Sequence, residues 1–181
     1  LTSLLAALAL ACSLGAGQAS QGDAAAADAP TPESAPELLS GLGAHRFPVS
    51  TRSEEARRYF HQGLALTYGF NHAAAIASFE YAARLDPTCA ACFWGQALAL
   101  GPNINAPMDP EAVTPAVRAA RRAVEKAAGA TEVERALVAA LRERYSDDPA
   151  ADRAALDRAH AEAMAAVAGR FPNDPDVQAL Y

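Results

Sequence analysis

Apolar residues recur three and four positions apart through most of the folded part of this chain, which is the spacing of one face of an α-helix. No stretch of the sequence alternates apolar and polar residues with the period of two that a half-buried strand shows. Helix-ending signals divide the pattern into short pieces; they are Gly69, Asp86-Pro87, Gly101-Pro102 and Gly129. The pattern therefore predicts an all-α fold of stacked antiparallel helix pairs joined by short connections.

Capping residues in the sequence predict where helices begin. Thr51 with Glu54, and Thr131 with Glu134, have the spacing of a capping box, in which a hydroxyl and a carboxylate bind backbone N–H groups of the first turn. Asp148, before a proline, is expected to open the last long helix. His160, which lies in that helix among acidic residues, is expected on the surface.

The first 19 residues have the character of a secretory signal segment. They are apolar and then rich in small residues, and they are too short to span a membrane. Two processing sites compete: Gly17-Gln18-Ala19 resembles a signal-peptidase site, and residues 9–12 resemble a lipoprotein box that would leave a lipidated Cys12. Residues 20–44, rich in proline and small residues, are expected to form a flexible, disordered linker.

Composition is consistent with one helical domain over residues 45–181. Apolar residues make up 51% of the 181-residue chain, and alanine, the best helix former, predominates among them. The formal net charge of −6 argues against a nucleic-acid partner, because such binding needs a basic surface. A membrane contact is expected only through a lipid on Cys12.

Residues 56–89 fit a helix-turn-helix repeat of about 34 residues. The small residues of this repeat are Gly63, Ala75 and Ala82, and its large residues are Tyr59, Leu66 and Phe79. Pro87 ends its second helix. One repeat later, Phe93, Ala97 and Leu100 occupy the positions of Tyr59, Gly63 and Leu66. On these residues the chain resembles the tetratricopeptide repeat (TPR) family. It departs from the repeat at Gln62 and in the longer connection between the two helices of the second repeat. Residues 131–181 resemble the repeat only loosely.

The stretch 46–108 also resembles a group of exported bacterial TPR proteins in which FNH, WG and GPN recur in this order. The resemblance implies a TPR-like α-solenoid whose concave face holds an extended peptide or a partner helix. It assigns to that face Arg57, Phe60, Leu64, Thr67, Tyr68, Ala91, Trp94 and Leu98. Phe60 and Trp94 are equally well explained as core residues. Because Tyr181 falls inside another repeat-like helix, the array is expected to continue beyond it.

Cys89 and Cys92 allow three interpretations. Residues three apart in a helix share a side and lie close enough for a disulfide. They could equally be small packing residues, or they could bind a metal such as copper(I) with His72 and Met108. Metal binding is the weakest interpretation, because a closed zinc site needs four ligands and no second Cys-x-x-Cys occurs in the sequence.

Asn103 and Asn105 lie in the sequence GPNINAP and either shape a turn or contact a ligand. The sequence contains no phosphate-binding loop, zinc-protease motif or nucleophile elbow. We therefore expect an exported scaffold without cofactor or catalytic activity that binds a protein or peptide. The alternatives are a thiol or metal module at Cys89 and Cys92, and the N-terminal part of a larger enzyme.

Overall fold

Seven α-helices occur among residues 34–148 and 150–181, which are the residues that the computed structural model describes. They are α1 (Glu54–Tyr68), α2 (His72–Leu85), α3 (Ala90–Leu100), α4 (Val113–Lys126), α5 (Glu132–Arg142), α6 (Arg153–Arg170) and α7 (Pro175–Leu180). Short 3-10 turns precede and follow α4, at Pro110–Ala112 and Ala127–Gly129. The predicted signal segment, Cys12 and the first part of the predicted linker lie outside the described residues.

Each helix packs against its neighbour in the chain, and α3 also packs against both α1 and α5. The described ranges contain no β-strand. The all-α prediction is therefore confirmed for these ranges, and the packed adjacent helix pairs are compatible with an α-solenoid.

One of the two predicted capping boxes is present. The Thr131 hydroxyl accepts from the Glu134 N–H at 3.2 Å, and the Glu134 carboxylate accepts from the Thr131 N–H at 2.8 Å. The prediction for Thr51 is wrong: Ser53 caps α1, and the Thr51 hydroxyl donates instead to Asp86 at the end of α2. Thr51 therefore ties the residues before α1 to the second helix.

The last long helix begins later than the sequence indicates. Asp152 caps α6, whereas Asp148 accepts from the Ala150 N–H in the preceding turn. His160 is half-buried rather than exposed, and its Nδ1 lies 3.0 Å from the Ala140 carbonyl oxygen of α5. The expectation that His160 is a surface residue is wrong because its side of α6 faces α5.

Helices α1 and α3 both approach the fully buried ring of Phe79 in α2 closely. A Cβ atom added at Gly63 of α1 would lie 2.8 Å from that ring, and one added at Gly95 of α3 would lie 2.3 Å from it. Ala75 and Ala82, also fully buried, complete the small-residue contacts of α2. The predicted role of Gly63 in letting two helices touch is confirmed, and Gly95 has the same role at the next interface.

Residues 35–53, here called the N-terminal arm, precede α1 without helix or strand. The arm is attached to α1 at its start: the Tyr59 hydroxyl donates to Pro36, and Gln62 bonds both Glu37 and Leu39. Part of the predicted linker thus lies against the helical stack.

Candidate functional site

The arm crosses one side of the stack, where α1, α3 and α5 lie next to one another. Phe47 inserts there and is 2% exposed; its ring centroid is 5.6 Å from that of Phe60 in α1 and 6.4 Å from that of Trp94 in α3. Val49, two residues later, is also buried. This side of the stack therefore holds an extended segment with an aromatic anchor.

Polar contacts fix the same segment to helices that are distant in sequence. The Ser50 N–H donates to the Glu134 carboxylate of α5 at 2.8 Å, and the Ser50 hydroxyl donates to its other oxygen. His61 of α1 donates from Nε2 to the Phe47 carbonyl, 2.9 Å away. His45 lies 2.6 Å from Asp176 of α7. The arm is thus held by groups from three different helices, α1, α5 and α7.

Residues 38–46 of the arm and the side of α1 that faces them line an open cavity of about 910 Å³, here called the arch cavity. Gly41 and Gly43 both have a φ of +82°, a left-handed conformation that glycine adopts without steric cost. The arch contributes Leu39, Leu42 and Arg46 to the lining, and α1 contributes the floor. The size falls within the usual range of ligand pockets.

The structure divides the residues that the TPR resemblance assigned to a partner-binding face. Arg57, Leu64 and Tyr68 line the arch cavity. Phe60 and Trp94 are 0% and 3% exposed and lie beneath Phe47, which covers them.

The remaining residues of that predicted face are less accessible than Tyr68. Ala91 is buried and Leu98 is half-buried against the core. The Thr67 hydroxyl donates to the Gly63 carbonyl of its own helix. The accessible part of the predicted face at the cavity therefore consists of Arg57 and Tyr68, since Leu64 is only 2% exposed.

Burial shifts the pKa values of two ionisable side chains near the arm. Burial lowers the pKa of His61, although its hydrogen bond to Phe47 acts in the opposite direction. Burial, together with the carboxylates of Asp176 and Asp174, raises the pKa of Tyr68 to about 12. Tyr68, which at its ordinary pKa of about 10 is already protonated at neutral pH, therefore keeps its phenolic proton to a still higher pH.

Cys89 and Cys92 form a disulfide, with an S–S distance of 2.08 Å. Both residues are fully buried at the start of α3. The structure thus combines two of the three interpretations, since the linked pair also packs in the core.

The described ranges contain no group of three His, Cys, Asp or Glu side chains placed to hold a metal ion. His72 is half-buried at the start of α2, and neither of its ring nitrogens has a hydrogen-bond partner among the described residues. Met108 packs against the core. The structure gives no ligand set in which these two residues and the cysteines converge.

Asn103 and Asn105 lie in a tight exposed turn. The Asn103 side-chain oxygen accepts from the Asn105 N–H at 2.8 Å, and the Asn103 N–H donates to the Ala106 carbonyl at 2.9 Å. Asn103 thus shapes the turn, as one of the two interpretations expected. Ile104 at its tip is 88% exposed.

Several residues of the site were not identified from sequence. Phe47 and Arg46 carried no motif, and Glu134 was recognised only as a capping residue. Pro48 biases the backbone of Phe47 towards an extended conformation, which is a weak signal of a non-helical segment. Nothing local indicates that its partners lie in α3 and α5.

The comparisons with known proteins add no further identification: no family model, no curated protein and no solved structure matches this chain. Within the described ranges, no helix has the length and apolar character that crossing a membrane requires.

Proposed function

We propose that this chain is an exported scaffold of the TPR type that binds a protein or peptide partner and has no catalytic activity of its own. One observation supports it above the others: α1, α3 and α5 form a face that already holds an extended segment of the same chain. Phe47 fills the apolar part of that face, and backbone groups of the arm bond to His61 and Glu134. Such a face has the chemistry for binding extended peptides.

The partner is proposed to bind at the arch cavity rather than beneath the arm. Phe60 and Trp94 are covered as long as Phe47 is inserted, whereas Arg57 and Tyr68 face open space. Binding at the covered part would require the buried Phe47 side chain to be displaced into water, which costs about 1.5–3 kcal/mol.

Selection from a random peptide display library tests this function with the full chain as bait. We expect enrichment of peptides that lose binding when Ala65, in the cavity lining, is replaced by phenylalanine. Ala165→Phe, at an exposed position of α6, is the matched control and should retain binding. Failure to enrich any peptide, or equal loss in both variants, would contradict the proposal.

Export, to the periplasm or the outside of the cell and with or without a lipid on Cys12, remains part of the proposal. It rests on the sequence of residues 1–19. Mass spectrometry of the mature protein distinguishes a chain that begins at Ser20 from one that begins at a lipidated Cys12.

A thiol or metal module is the second candidate function, and the Cys89–Cys92 disulfide is the observation in its favour. A redox-active pair must be reached by its reaction partner, and both residues are fully buried. Thiol titration after mild reduction tests this candidate. Rapid reduction in the native protein would support it, and reduction only after unfolding would remove it.

A further inference from the structure

The arch cavity is electropositive in an acidic chain. Its lining contains the guanidinium groups of Arg46, Arg57 and Arg58, but Glu54 is its one carboxylate, while the whole chain has a formal net charge of −6. At the far edge, Asp176 is paired with His45, and Asp174 accepts backbone hydrogen bonds at the start of α7. The lining of this cavity therefore has an excess of positive charge, in contrast to the net negative charge of the whole chain.

Two of the three guanidinium groups have no carboxylate partner in the part of the chain that the structure describes. Arg57 is occupied, since it donates to Glu54 and, at 2.7 Å, to the Thr51 carbonyl. Arg58 makes no hydrogen bond and no ion pair with any described residue, and Arg46 donates only to the carbonyls of Gly43 and His45. A guanidinium group can bind a carboxylate through two parallel hydrogen bonds. Among residues 34–148 and 150–181, no carboxylate occupies Arg46 or Arg58, and both are placed to bind a ligand carboxylate in this way.

The same cavity also collects exposed apolar side chains. Leu39, Leu42 and Tyr68 line it and are 45%, 37% and 40% exposed. Large apolar side chains gathered at one concave site indicate a binding surface more strongly than the same residues scattered singly. Apolar walls close to unpaired guanidinium groups fit a ligand that carries both aliphatic groups and carboxylates.

From this combination we infer that the arch cavity selects acidic peptide segments in which aspartate or glutamate alternates with aliphatic residues. Arg46 and Arg58 bind the carboxylates, and Leu39 and Leu42 contact the aliphatic side chains. The Tyr68 hydroxyl supplies a further hydrogen bond to a carboxylate or a backbone carbonyl. This inference rests on the proposed function and adds the chemical class of the partner.

Fluorescence anisotropy with three labelled peptides tests the inference. The peptides share alternating leucines and differ at the other positions, which are glutamate, glutamine or lysine. We expect the glutamate peptide to bind at least about tenfold more tightly than the glutamine peptide. This preference should weaken as salt rises from about 50 to about 300 mM, since exposed charges are screened.

The double variant Arg46→Gln/Arg58→Gln should reduce the preference for glutamate to less than about threefold. Arg118→Gln is the matched control, because Arg118 is an exposed arginine of α4 without an ion pair among the described residues, and it should leave the preference unchanged. Thermal unfolding of each variant checks that its fold is retained. Equal binding of the glutamate and glutamine peptides, or an equal loss in the control variant, would overturn the inference.

Failure of the inference and failure of the proposed function give different results. Library selection that enriches neutral or basic peptides at the cavity would overturn the acidic specificity and leave the scaffold function intact. Failure to enrich any peptide would remove both. Binding of dodecanoate that depends on Arg46 and Arg58, without binding of any peptide, would assign the cavity to a lipid-like anion and overturn the peptide inference.

Discussion

The two ends of the helical stack have hydrophobic cores of different composition. Around α1 to α3 the core is aromatic and contains buried rings from the arm and from three helices; they are Phe47, Tyr59, Phe60, Phe79, Phe93 and Trp94. Around α5 to α7 the core is mainly aliphatic; its residues include Leu137, Val138, Leu141, Met164, Val167 and Val177. Exposed ion pairs such as Arg170–Glu132 accompany the aliphatic end.

The difference shows what an aromatic core requires of its surroundings. At the first end, Gly63 and Gly95 touch the Phe79 ring so closely that no Cβ fits without movement. At the second end, a Cβ added at Gly169 of α6 meets nothing within 4 Å. Exposed ion pairs contribute little to stability. We therefore expect substitutions at the aromatic end to cost far more than comparable ones at the aliphatic end.

The largest effect is expected from Phe47→Ala. Removing a fully buried ring that contacts Phe60 and Trp94 should lower the free energy of unfolding by about 4 kcal/mol, because transfer and cavity costs add. Phe70→Ala, at a ring that is 53% exposed, is the matched control and should change stability by less than about 1 kcal/mol. Urea denaturation measures both. Similar values would mean that the arm is not part of the core.

Gly95→Ala is expected to cost about 3 kcal/mol, since the new Cβ would lie 2.3 Å from the Phe79 ring. Gly63→Ala, where the corresponding distance is 2.8 Å, should cost less, about 2 kcal/mol. The better helix propensity of alanine offsets part of each loss. Thermal unfolding should therefore rank Gly95→Ala below Gly63→Ala in stability; the reverse order would contradict the close approach at α3.

Glu134→Ala tests the link between the arm and α5, which joins the two ends. The substitution leaves the Ser50 N–H without its acceptor and the Thr131 N–H with only the longer bond to the Ser50 hydroxyl, so a loss of about 2 kcal/mol is expected. Glu132→Ala, two residues away and exposed, removes only the ion pair with Arg170 and should cost less than about 0.5 kcal/mol. Chemical denaturation compares the two variants. Equal values would show that Glu134 does not hold the arm.

The helical part of this architecture could be predicted because its signals are local. Hydrophobic spacing predicted the helices, and the small residue at Gly63 predicted the contact between α1 and α2. The position of the arm could not be predicted in the same way. Ser50 and Glu134 are 84 residues apart, and neither shows from its neighbours in sequence that it pairs with the other.

The candidate site was predictable to a smaller extent, for the same reason. The TPR resemblance placed Arg57, Leu64 and Tyr68 on a binding face, and all three line the arch cavity. It gave no indication that Phe47 would cover Phe60 and Trp94, because the arm precedes the repeats. Arg46 and Arg58 become related only when the arch brings them to one cavity.

The pH dependence of the free energy of unfolding tests one histidine from each end of the helical stack. Burial lowers the pKa of His61 in α1 and of His160 in α6, so the unfolded chain binds more protons than the folded chain near the ordinary histidine pKa of about 6.5. The stability that depends on the two neutral histidines should therefore be fully present above that pH and should decrease as the pH falls below it. His61→Gln and His160→Gln should each flatten the curve in urea titrations at a series of pH values. An unchanged slope in both variants would assign the pH effect to other groups.

Gly169→Ala should have the smallest effect and the opposite sign. The position lies inside α6 and has open space around the added Cβ, so the substitution gains helix propensity without a clash. We expect an increase in stability of up to about 1 kcal/mol, against the loss expected for the same substitution at Gly95. Differential scanning calorimetry of the two variants measures this contrast directly. A loss at Gly169 similar to that at Gly95 would show that the aliphatic end is packed as closely as the aromatic end, and would remove the distinction between them.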